Sequence, residues 1–75
     1  MIRYQLPDTR QVQLNIYSAL GQEVIRLVDQ SQVAGHYAIT WNGRNQRGQI
    51  AASGFYLYQL KAGGEATSGK MLFAK

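Results

Sequence analysis

The 75-residue sequence has no cysteine. No disulfide can staple the fold, and no thiolate can hold zinc. There is one proline, Pro7, and one histidine, His36, which stands beside Gly35 with no clear serine partner. The four acids, Asp8, Glu23, Asp29 and Glu65, are dispersed, so paired-carboxylate chemistry has no local signature. No apolar run approaches the ~18 residues of a membrane-spanning helix. The first residues, MIRYQLP, lack the apolar segment and small-residue cleavage site of a signal peptide. They enter an alternating pattern at once, which suggests a piece excised from a longer secreted protein. A chain this short buries only about 60% of the surface it exposes when unfolded. That leaves little room for both a core and a catalytic cleft. The expectation is one domain over residues 1–75, not an enzyme, with no cofactor and no small-molecule substrate. A triad assembled only in space stays open.

What is present is ordinary for a globular β domain: 45% apolar residues and eight glycines. The net charge is +4. The basic residues Arg3, Arg10, Arg26, Arg44, Arg47, Lys61, Lys70 and Lys75 are spread along the chain. A nucleic-acid reader clusters such residues on one face, so scatter reads as a solvated surface.

Alternation with a period of two predicts strands. Ile2, Tyr4 and Leu6 form the first, ended by Pro7 and Asp8. Val12, Leu14 and Ile16 form the clearest. Ser18 to Gln22, with Gly21, reads as a turn. Val24 to Val28 is β-branched but also fits one helical turn; its shortness favours a strand. Asp29 to Gly35 has no periodicity and reads as a loop. Tyr37, Ile39 and Trp41 form another strand. Phe55 to Leu60 reads as a strand covered on both faces. Ala62 to Glu65 is a glycine hairpin turn, and Lys70 to Ala74 a closing strand. About seven short strands at this spacing predict an all-β antiparallel sandwich. The expected core is Leu6, Val12, Leu14, Ile16, Val24, Leu27, Ile39, Trp41, Tyr56, Tyr58, Leu60 and Met71.

The stretch WNGRNQRGQIAASGFY, Trp41 to Tyr56, is the one candidate for chemistry. A phosphate loop would need a helix after it, and Gln49 to Tyr58 reads as strand. A calcium loop would need carboxylates, where Asn42 and Asn45 are amides among two arginines. Two arginines alone do not make a nucleic-acid site. The better reading is turns: Gly43, Gly48 and Gly54, like Gly21 and Gly35 earlier, are scaffold positions.

In order and spacing the whole chain resembles a known family. The segments are IRYQLP, VQLNIYSALGQEVIRLVD, AGHYAITWNGRNQRG, IAASGFYLYQL and KMLFAK. They resemble the C-terminal sorting domain of the type IX (Por) secretion system, an Ig-like β-sandwich that ends many secreted Bacteroidetes-type proteins. The chain is also similar to the Ig-like domain of the flagellar hook-capping protein. The sorting resemblance implies a signal recognised in the periplasm by outer-membrane machinery and removed by a sortase-like peptidase. Its parent would end at the cell surface or outside. The recognised element would be the last strand, Lys70, Met71, Leu72, Phe73, Ala74 and Lys75. The alternatives are an Ig-like spacer or assembly module, and a carbohydrate-binding module using Tyr4, Tyr17, Phe55 and Leu57. A homodimer through a free edge is a further expectation.

Overall fold

The computed structural model describes residues 1–74; Lys75, expected to close the recognised strand, lies outside them. The described chain is all β. Six strands are formed: β1 (Ile2–Leu6), β2 (Arg10–Ser18), β3 (Glu23–Gln32), β4 (Gly35–Ile39), β5 (Gly54–Ala62) and β6 (Glu65–Phe73). They make two antiparallel sheets. One is four-stranded, in the order β3-β2-β5-β6; the other pairs β1 with β4. The two lie face to face as a sandwich.

Alternation explains the core. Val12, Leu14 and Ile16 are fully buried on β2, and Ile2 and Leu6 close over them from β1. All twelve expected core residues are buried or packed against the buried set. Ile2, Val28 and Ala62 join them. The Tyr4 and Tyr37 rings stack between the sheets, with centroids 5.2 Å apart. The Tyr4 hydroxyl donates to Gln32 Oε1 across the sandwich at 2.7 Å. Burial raises its pKa above the usual 10.0, and the neighbouring Tyr37 phenol adds to the shift.

Four expectations are corrected. There are six strands, not about seven. Asp29 to Gln32 is not loop: it continues β3, paired with Arg10 to Gln13. The last strand begins at Glu65, not Lys70, and runs in unbroken register with β5 from Ala62↔Glu65 to Gly54↔Phe73. β5 is covered on one face only, since Phe55 and Leu57 are exposed. Polar sequence hid the second and third of these, because edge strands need no apolar residues to hold a ladder.

The helix-like spacing of Val24, Leu27 and Val28 has a local cause. The β2–β3 register slips twice, between Leu14 and Asn15 and between Ile16 and Tyr17. Each slip leaves an extra residue on β3, at Leu27 and at Val24. A bulge resets which face a residue points to, so alternation fails in the sequence while the strand persists.

Candidate functional site

Sequence reasoning placed function on the last strand, and the fold puts that strand at an edge. β6 bonds to β5 on one side only. An edge strand presents a row of backbone donors and acceptors to whatever approaches. The pleat divides its side chains. Ala66, Ser68, Lys70 and Leu72 lie opposite Lys61, Gln59, Leu57 and Phe55 on the outer face. There Leu72 is 67% exposed, and Lys70 Nζ stands 5.1 Å from the centre of the Phe55 ring. Glu65, Thr67, Gly69, Met71 and Phe73 face the other sheet.

Two glycines let this strand seat. The Tyr58 ring lies across Gly69, where an added Cβ would come within 2.6 Å of the phenol oxygen. At the far end the Phe73 ring covers Gly43 so closely that a Cβ there would overlap it. Phe73 is tilted against Trp41 at 5.2 Å, and Trp41 meets Tyr56 edge-on at 4.9 Å. The end of β6 is thus tied to the WNG segment by an aromatic cluster that the sequence showed only as separate rings.

The segment itself is a self-bonded loop. Trp41 leaves strand β4, which ends at Ile39, yet points inward, and its indole donates to the Arg44 carbonyl at 2.9 Å. Asn42 Oδ1 accepts from the Arg44 amide, and Asn45 Oδ1 accepts from the amides of Arg47 and Gln49. The Arg44 guanidinium donates to the Gly48 carbonyl at 2.8 Å. The two side-chain oxygens a calcium ion would need are therefore spent on turns. The five expected scaffold glycines, Gly21, Gly35, Gly43, Gly48 and Gly54, all have positive φ. The loop also shields the opposite edge of the sheet. The Gln46 amide donates to the Val24 carbonyl at 3.1 Å, and the Arg26 amide donates to Gln46 Oε1 at 3.3 Å. Those bonds fall at the bulge in β3, so that edge is partly closed where β6 is open.

No group of three or more metal-ligating side chains occurs among the described residues. His36 is exposed on the outer side of β4, across from Gln5. The proposed sugar platform divides: Tyr17, Leu57 and Phe55 share the outer face of the larger sheet, whereas Tyr4 lies between the sheets. The four acids all pair with two arginines. Arg10 meets Asp8 at 2.6 Å and Glu65 at 3.6 Å, and Arg26 meets Glu23 and Asp29. The bond to Asp8 raises the pKa of the Arg10 guanidinium further. One polar side chain was missed altogether. Asn15 is 4% exposed, and its Oδ1 has no partner.

Against known families, the model described as the FlgD Ig-like domain matches residues 2–68. The chain belongs to the FlgD Ig-like domain family. The match spans β1 to β5 and the start of β6, and so covers both sheets. It also includes the whole WNG loop between β4 and β5. Comparison with curated proteins and with solved structures found no match. The family is one of Ig-like domains, in agreement with the two facing antiparallel sheets.

Proposed function

We propose that this FlgD-type Ig-like domain is a non-catalytic structural module that joins its parent protein to an assembly through its sheet surfaces. The observation that carries this is the family match across both sheets. The use of side chains agrees with it: the loop richest in polar groups bonds to itself, and the acids are neutralised by two arginines. The test is assembly. A parent protein lacking residues 1–75 should keep its own activity and fail to enter its native complex, read by size-exclusion chromatography. Entry of the truncated parent into the complex would overturn the reading.

A second reading has a specific observation in its favour. β6 is an edge strand, its outer row ends in exposed Leu72, and it stands at the carboxyl end of the domain. A strand so placed could be read by β-augmentation as a type IX sorting signal. Its partners would be the outer-membrane secretion machinery and a sortase-like peptidase. The route would be periplasm, then cell surface or medium. Fusing residues 1–75 to a periplasm-directed fluorescent protein tests it. Export in a type IX-competent host and retention in a secretion-null strain support sorting. Retention in both, with a related sorting domain exported as control, refutes it.

A further inference from the structure

The two sheets differ in width. Four strands form one and two form the other, so β1 and β4 cannot cover all of the larger inner face. The uncovered part is a cleft of about 280 Å³ beside β1. Every residue from Ile2 to Pro7 lines it, so it runs the length of that strand. Its floor is Tyr58, Leu60 and Ala62 of β5 with Thr67 of β6, and the paired Arg10 and Glu65 close one end. Thr67 is exposed although it lies on the face turned toward the core. Beyond the ladder to β4, the described residues of β1 make no backbone hydrogen bond.

We infer that this cleft is a docking slot for an extended segment of a partner protein, which adds a strand beside β1 and completes the smaller sheet. Lined by a whole strand, the cleft has the length of an extended segment rather than the compact form of a small-molecule site. A strand, by contrast, needs what the slot offers: a line of free backbone groups on one side and a half-apolar floor beneath. A strand added to the open edge of β6 would gain the backbone bonds without the floor. The β1 slot is therefore the stronger acceptor of the two.

The chemistry of the occupant follows from β1. Residues opposite each other in paired strands share a face. Side chains opposite Ile2, Tyr4 and Leu6 would face Tyr58 and Leu60, and must be apolar. The one opposite Arg3 would lie outside, beside a guanidinium whose one hydrogen-bond partner among the described residues is Met1 Sδ at 3.4 Å. All four acids of the chain are paired elsewhere. The partner supplies the missing carboxylate, so the occupant alternates apolar and polar residues with an acid at the Arg3 position. A second copy of the domain fits poorly, because its four acids are already held by Arg10 and Arg26.

The probe is a blocked peptide, Ser-Val-Thr-Val-Glu-Val-Ser, added to the ¹⁵N-labelled 75-residue chain at about 1 mM, the range of a weak strand contact. The expected result is slowed amide exchange in Ile2–Leu6 with shifts at Tyr58 and Leu60. Arg3→Glu should weaken this peptide about fivefold and strengthen its Glu-to-Lys analogue by a similar factor. Thr67→Tyr fills the slot from an exposed position and should remove binding without lowering the melting temperature. Three outcomes overturn the proposal. One is protection on β6 in place of β1. Another is protection of Ile2–Leu6 that rises with protein concentration without peptide, which would make a second copy the occupant. The third is no shift at β1 with either peptide while the chain is folded.

Discussion

Gly43 shows how much one residue can decide. Its φ is +79° and the Phe73 ring occupies the place of a side chain. Gly43→Ala should therefore cost about 3 kcal/mol, combining a strained backbone with a displaced ring. Urea unfolding would measure it, and a loss under 1 kcal/mol would mean the aromatic cluster gives way freely. Asn15 is the opposite case. In the sequence it is one of the polar residues alternating with Val12, Leu14 and Ile16, and reads as solvent-facing. The structure buries it between Arg26 of β3 and Gln59 of β5, bonded to the Tyr17 hydroxyl at 3.3 Å through Nδ2 alone. An unmet buried acceptor is costly, so Asn15→Val should raise stability by about 1 kcal/mol. No single-residue pattern could reveal this, because burial of the outer face depends on the long side chains of β3 and β5 beside it.

At the scale of the element, β6 divides into two halves. Glu65 to Gly69 is small and polar and holds mainly by its ladder to β5. Met71 and Phe73 hold by packing. Phe73→Ala should cost about 2 kcal/mol, below the usual range for a fully buried ring because Phe73 is half-buried. It should also shift the emission of Trp41, the only tryptophan, to the red. Leu72→Ser, one residue away on the exposed face, should change stability by less than about 0.5 kcal/mol. Equal effects would mean the register of β6 is wrong by one residue, since a one-residue slip exchanges the faces. The strand's existence was legible in the sequence, and its length was not. Edge pairing asks only for backbone groups, which every residue carries.

The whole molecule responds to base through Tyr4. Its pKa is raised on folding, so the folded state keeps its proton longer than the unfolded chain does. Stability is then complete below about pH 10 and falls as pH rises through the folded value. Tyr4→Phe should flatten that fall, seen as a smaller drop in melting temperature between pH 9 and pH 11. A profile unchanged by the substitution would assign the alkaline loss to other phenols. Charge acts more weakly at this scale. Two arginines satisfy all four acids, but at exposed sites such pairs add little. Their main effect is to leave Arg3, Arg44, Arg47, Lys61 and Lys70 without a carboxylate among the described residues, so that the unpaired charge is positive.

Local pattern in the sequence determined the fold class, the β2 core, the glycine turns and the family resemblance. Each follows from the two-residue period of a strand or from the backbone a glycine permits, and both act over a few residues. Tertiary structure alone decided the rest. The slips that place Val24 and Leu27 depend on the partner strand. The meeting of Trp41, Tyr56 and Phe73 depends on β5 bringing the chain's end beside its middle. The cleft along β1 depends on a two-stranded sheet lying over a four-stranded one, a mismatch of widths that no stretch of sequence contains.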